Sequence, residues 1–511
     1  MSITSFEFFV MVALLVLVYY ALPLRYRWVA LLVGNGIFWY KGNSKAALVI
    51  MLAMGIVTYV LARLLEEKRE QKGAKALVTV GVTLLAACMI VCRDLGFFVG
   101  NINGLCNLCH IPFQVPDVTI PSPMGISYFA LIWIGYLLDV YWGVAHAEKN
   151  ALKFALFCGY FPFMTSGPII SFRDSGAQIT AGHQFDYEQF CFGLQRILWG
   201  LMKKLIISQR LAAYVDLVYG SYNTLVGTYV LLAMVLFVLQ LYTDFSGCID
   251  IVLGVSQLFG ITLPENFDLP FLSKNLSEFW RRWHITLGGW LRDYILYPIL
   301  KSDLFQAIGK KSKKKFGKKF GKKVPMWIGL LISWFLIGFW HGGGWNYILG
   351  DGLYFGILII LGEMLEPFTD KVIEKLRIRT ETFGYRLFQY VRTFVLFTIG
   401  LSFFRAYGGF MEGLRIWKSA LFEFSPWIFF DGSLIGAGLD AKDWNIVIVF
   451  MAVLAISGII RYYTGEQIRV LVARQPIVFR WLLYVALFAS VIVFGCYGIG
   501  YDAQSFIYQQ F

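Results

Sequence analysis

A chain of 511 residues that is 58% hydrophobic and 18% aromatic but only 15% charged carries more apolar side chain than a soluble core can hide. The mean hydropathy of +0.64 is spread over the whole length, which excludes an ordinary soluble enzyme and implies an all-α polytopic membrane protein. A net charge of +13 suits anionic surfaces, yet nucleic acid is a poor partner for a chain whose remaining surface faces hydrocarbon.

In chain order, candidate spans lie at 8–22, 46–64, 77–92, 124–144, 152–170, 226–241, 325–340, 345–361, 387–404, 444–460 and 481–497. With shorter or amphipathic pieces at 28–40 and 189–207, roughly eleven to fourteen membrane-embedded helices are expected. No cleavable signal peptide is evident, because the first basic residues, Arg25 and Arg27, follow the first span. That order favours an extracytoplasmic N-terminus. Loops 63–75, 370–386 and 461–480, rich in Lys and Arg, are expected on the cytoplasmic side, and 94–123 and 406–443 on the outside. The outward loop 94–123 carries Cys106, Cys109 and His110, a CxxCH pattern that matches a c-type haem attachment site, although a local disulfide or two plain thiols fit it better.

Two interruptions stand out, since irregular backbone at membrane depth is tolerated only where protein or a water-filled cavity covers it. In YFPFMTSGPIISF (160–172), Pro162, Gly167 and Pro168 must break any helix. In FGITLPENFDLPFLSKNLSEFW (259–280), Pro264 and Pro270 bracket a polar stretch that cannot span. Asn275 and Glu278 then make a capping-box start for a helix through FWRRWHITLGGWLRDYILYPI (279–299). Helical spacing places Arg281, His284, Gly288 and Arg292 on one stripe beside an aromatic face of Trp283, Leu287, Trp290 and Tyr294.

Next comes GKKSKKKFGKKFGKK (309–323), nine lysines with no acidic residue among them. This loop reads first as a cytoplasmic anchor on anionic headgroups, and alternatively as an attractor for an anionic donor. The apolar stretch that follows runs into FWHGGGWNY (339–347). Of five histidines, only His284 and His341 lie in apolar, aromatic surroundings. A titratable group there is a candidate for chemistry, and a desolvated imidazole is held in the neutral form that a general base needs. If Lys323 marks the cytoplasmic face, a helix from Pro325 to His341 climbs roughly 24 Å from it, so a cytosolic donor and an outer acceptor could meet only through a passage in the protein. Gly342 to Gly344 would allow a substrate close to the backbone. No GxSxG elbow, HExxH or Walker loop occurs, and no spacing supports a metal site.

Together, PMGISYF (123–129), LLDVYWG (137–143), FPFMTSGPI (161–169), GLMKKLIIS (200–208), YTDFSGCIDIVLGVSQLFGITLPENFDLPF (242–271), FWRRWHITLGGWLRDYILYPI and FWHGGGWNY resemble the membrane-bound O-acyltransferase family from about 121 to 405. The likeness is strongest to the bacterial branch with the alginate O-acetyltransferase membrane subunit, and the D-alanyl transferase of lipoteichoic acid is a near cousin. The resemblance implies one membrane-embedded domain over 1–511, with 406–511 adding C-terminal helices, around a central passage in the bacterial cytoplasmic membrane. It implies transfer of an acetyl or other short acyl group from a cytosolic thioester, acetyl-CoA or an acyl carrier protein, with no permanently bound cofactor. The acceptor would be a hydroxyl of an extracytoplasmic polysaccharide or cell-wall polymer, or a relay partner of esterase-like type. D-alanyl transfer to teichoic acid is the alternative within the class, and a multi-pass transporter the alternative outside it. His341 matches the base that deprotonates the acceptor, and His284 the second polar position, expected to orient substrate or stabilise the oxyanion. Asp244, Arg281, Arg282, Trp283 and Asp293 match positions that shape the cavity or pair helices, with Trp340 and Trp345 supporting from beside the histidine. The stretch after Tyr297 departs from the alginate pattern, where a Gly-rich turn and Asn-Arg are usual.

Overall fold

The computed structural model describes residues 1–497, so the last part of the expected C-terminal segment, 498–511, lies outside the described residues. Among the described residues the chain is helical, and its β structure is one isolated antiparallel bridge between Phe267 and Trp283. Among the described residues eight helices are long and apolar enough to cross a membrane, from Lys45–Lys68 to Ile477–Phe494, and Phe6–Ala21 and Ile126–Trp142 are shorter apolar helices. The chain divides into two compact units, one of 1–210, 241–264 and 446 onward, the other of 211–240 and 265–445.

In the first unit, the stretch expected to span at 152–170 does not do so. It is a short helix, Ala151–Cys158, followed by turns through 159–170 and a second helix, Phe172–Thr180. The break expected at Pro162, Gly167 and Pro168 is therefore real, and side chains from other helices satisfy the backbone it leaves open. Asn35 donates to Leu156 O at 3.0 Å and accepts from Phe161 N at 2.9 Å, while Trp39 and Trp133 donate to Gly159 O and Cys158 O. Such partners are what permits non-helical backbone in an apolar environment. Gly125, at φ +77°, starts Ile126–Trp142 against this turn, where a Cβ would stand 2.2 Å from Met164 O.

The helix Tyr187–Leu201 and its π-helical continuation Met202–Ser208 lie against the later part of Thr228–Leu258. Two glycine pairs, Gly193 with Gly254 and Gly200 with Gly247, bring these backbones together, since a Cβ on Gly200 would stand 2.5 Å from Gly247 O. The close approach aligns charges inside the unit. Lys204 pairs with Asp244, while Asp250 takes both Lys203 and Arg196, the latter at 2.9 Å.

The segment 94–123, read as a loop, contains the helix Leu95–Leu108, and Cys106 and Cys109 are free thiols rather than a disulfide.

In the second unit, the lysine-rich segment, expected as a loop, is the helix Asp303–Gly321. Ser302 caps its start, and a kink at Gly317, φ +79°, folds the last turn back, placing Gly321 against Ser312 O. Val324–His341 begins with Pro325 in its first turn and stops where Gly342 leaves the helix. A π-helical turn, Asn346–Leu353, then leads into Tyr354–Lys375, and Phe383–Phe404 completes the group.

Candidate active site

His341 is the last residue of its helix, and the glycines after it let the chain reverse within a few residues. A Cβ on Gly342 would stand 2.8 Å from the Tyr347 ring. On the return, Gly338 and Gly352 cross backbone to backbone: a Cβ on Gly338 would meet Tyr347 O at 2.6 Å, and one on Gly352 would meet Trp334 O at 2.6 Å. This crossing carries Asp351 to the histidine, with Asp351 Oδ2 3.6 Å from His341 Nε2 and both side chains at most 4% exposed. That separation is long for a hydrogen bond but close for a charge interaction. Trp340 and Phe404 enclose the imidazole, with ring centroids at 5.2 and 5.4 Å, and Asn346 ties the turn down by donating to Phe403 O and Ala406 O at 3.2 Å.

The second histidine arrives by a different route from the continuous stripe expected from spacing. Asn275 does cap Leu276–Arg282, accepting from Glu278 N at 2.8 Å, but the helix stops at Trp283 and His284 stands in the left-handed region at φ 47°, ψ 49°. A separate helix, Ile285–Leu291, follows. The break is imposed by the folded-back segment: Asp268 N donates to Arg282 O at 2.9 Å, and Ile285 N to Asn266 O at 3.1 Å. Asn266 Oδ1 accepts from Thr286 N at 3.0 Å and Thr286 Oγ1 at 2.9 Å, and faces His284 Nδ1 at 3.3 Å. Its amide nitrogen is buried and has no hydrogen-bond partner among the described residues. His284 lies outside the eight apolar spans. Burial pushes its pKa well below the ordinary imidazole value, and the neighbouring imidazole of His341 pushes the same way. Trp340 neighbours both, its ring centroid 6.0 Å from that of His284 and 5.2 Å from that of His341.

A match to the membrane-bound O-acyltransferase family covers residues 119–312. A probable alginate O-acetylase from Pseudomonas fluorescens is 30% identical over 374 residues, 73% of this chain and 68% of the relative. The chain belongs to the membrane-bound O-acyltransferase family. It is an O-acyltransferase, a multi-pass membrane enzyme that takes its acyl group from a donor co-substrate. It is also similar to a peptidoglycan O-acetyltransferase from Helicobacter pylori, 26% identical over 64% of this chain and 63% of that protein. A teichoic acid D-alanyltransferase from Bacillus subtilis is 29% identical over 52% of this chain and 65% of its own length.

Of the residues matched to family motifs, His341, His284 and Trp340 share one buried neighbourhood. Trp283 is buried against Phe267, Phe279 and Phe397, and so supports the break beside His284. Arg281 donates to Ser277 at 3.1 Å, Arg282 pairs with Glu278 at 2.8 Å and Asp293 with Arg292 at 2.8 Å, contacts within their own helices. Trp345 is 48% exposed. Asp244 belongs to the first unit, in its pair with Lys204. Motif and spacing singled out neither Asp351 nor Asn266. Asp351 had a readable signal, as the only acidic residue between Val324 and Gly362.

Proposed function

We propose that this enzyme moves an acetyl or similar short acyl group from a cytosolic thioester, acetyl-CoA or an acylated carrier protein, to a hydroxyl of an extracytoplasmic glycan or cell-wall polymer. In this reading the whole chain works as one domain in the bacterial cytoplasmic membrane, and a relay protein outside can stand in for the polymer as acceptor. The observation that carries it is the buried pair of His341 and Asp351 at the glycine crossing. With the carboxylate beside Nε2, Nδ1 is the nitrogen that takes the acceptor's proton, and the carboxylate stabilises the imidazolium so formed. The acceptor oxygen forms its bond to the acyl carbon, the carbon–sulfur bond breaks, and the proton passes from His341 to the departing thiolate. Aromatic packing around the ring excludes water that would otherwise compete as acceptor.

The similarity to alginate and peptidoglycan acetylating enzymes favours acetate, and the similarity to a D-alanyltransferase supports D-alanyl as the second reading. His341→Ala is expected to insert and fold normally while base-labile ester disappears from the surface polymer. Unchanged ester content in that variant refutes the assignment. Mass spectrometry of the acid released by mild base from the wild-type polymer separates acetate from D-alanine.

A further inference from the structure

The contacts of Asn266 determine which nitrogen of His284 carries hydrogen. A backbone N–H can only donate, so the atom of Asn266 that Thr286 N approaches at 3.0 Å must be the amide oxygen, and the Thr286 hydroxyl at 2.9 Å agrees. The same oxygen faces His284 Nδ1 at 3.3 Å. An amide oxygen only accepts, so Nδ1 holds the hydrogen and, in a neutral ring, Nε2 holds the lone pair.

The backbone shows how firmly this arrangement is imposed. His284 occupies the left-handed region, a costly conformation for a residue with a Cβ. It is held there by the Asn266 carbonyl accepting from Ile285 N and by the bridge between Phe267 and Trp283. Asn266 is fully buried and leaves its own amide nitrogen without a hydrogen-bond partner among the described residues, so the side chain is oriented by what its oxygen does.

We propose that Asn266 is a positioning residue that locks His284 in the Nδ1–H form, so that His284 meets the substrate through Nε2 as a hydrogen-bond acceptor and not as a donor to the tetrahedral oxyanion. A polyhydroxyl acceptor fits this division of labour. The reacting hydroxyl gives its proton to His341, and a hydroxyl beside it donates to His284. The division rests on the proposed acyl transfer to a glycan at His341, whereas the locked tautomer is a property of the resting enzyme.

The test is nitrogen NMR of the full-length enzyme in lipid, labelled at histidine, with His284 assigned by difference from His284→Gln. The expected spectrum shows a neutral ring protonated at Nδ1, retained in Asn266→Asp and replaced by the Nε2–H form or a mixture in Asn266→Ala. Kinetically, Asn266→Ala is expected to raise the KM for acceptor at least about tenfold with the KM for donor unchanged, and Asn266→Asp to restore much of it. A wild-type ring protonated at Nε2, or an Asn266→Ala variant with wild-type tautomer and acceptor KM, overturns the proposal. Should the alanine variant not fold, the wild-type and aspartate spectra still decide. If His341→Ala stays active, the acyl-transfer reading of the site falls while the tautomer result stands by itself.

Discussion

Gly338→Ala tests whether backbone contact between the helix ending at His341 and the turn carrying Asp351 sets the reaction geometry. The added methyl would stand 2.6 Å from Tyr347 O where ordinary contact begins at 3.4 Å, so the two segments must part by about 0.8 Å. Neither neighbour can rotate away, because the atoms met are backbone. The His341 to Asp351 separation would then grow from 3.6 Å to about 4.4 Å. At an effective dielectric of about 20, the attraction between carboxylate and developing imidazolium falls from about 4.6 to about 3.8 kcal/mol, roughly a fourfold loss in rate. Misalignment by nearly 1 Å can cost up to about a hundredfold. The expected kcat of the purified enzyme, followed by thiol release from the donor, is therefore about 4- to 100-fold below wild type, with normal insertion. Gly362→Ala is the matched control, since nothing stands within 4 Å of a Cβ there. Wild-type kcat in Gly338→Ala would show that the crossing does not set the catalytic distance.

Asp351→Asn removes the charge but keeps the shape, and is expected to lower kcat roughly a hundredfold or more with little effect on folding, by the same thiol-release assay. Lys204→Met leaves Asp244 buried without its cation and is expected to cost about 3–5 kcal/mol, seen as a large fall in thermal stability. The double variant Lys204→Met with Asp244→Leu should recover most of that loss, and failure to recover would give the pair a role beyond packing. Changing Lys313, Lys314 and Lys315 to Gln is expected to raise the KM for an anionic carrier-protein donor and flatten its salt dependence. An unchanged KM at low salt would restrict the lysine-rich helix to its lipid-facing role.

The features legible in the sequence are those encoded locally. The spans at 46–64, 77–92, 325–340 and 444–460 appear as helices because apolar length alone specifies them. Pro162 and Pro168 announce the break at 159–170, and Asn275 announces the helix it caps. What escaped depends on partners distant in sequence. The stripe through Arg281, His284 and Arg292 obeyed helical spacing, yet Asn266, eighteen residues before His284, takes the backbone N–H groups of Ile285 and Thr286 that a continuous helix would have used. The lysine run reads from sequence as a cytoplasmic loop because nine lysines without an acidic residue mark an anchor on anionic headgroups. The segment is a helix because Ser302 caps it, Phe305 is buried, and the Gly317 kink turns its end back.

Asp351 shows the limit of averaging. A window over 345–361 sees an apolar helix, and one carboxylate hardly changes its mean, yet that carboxylate lies within 3.6 Å of the residue for which the sequence argued hardest. The glycines beside it carried the missing information. Gly338 and Gly352 each look like weak points in a helix, and only together do they mark a place where two backbones touch. A small residue on each side of a turn, with one histidine and one acid on the same stretch, is a pattern that can be sought before any fold is known. Its chemical meaning follows from distance: across ordinary side chains the two helices would stand too far apart for one carboxylate to act on one imidazole.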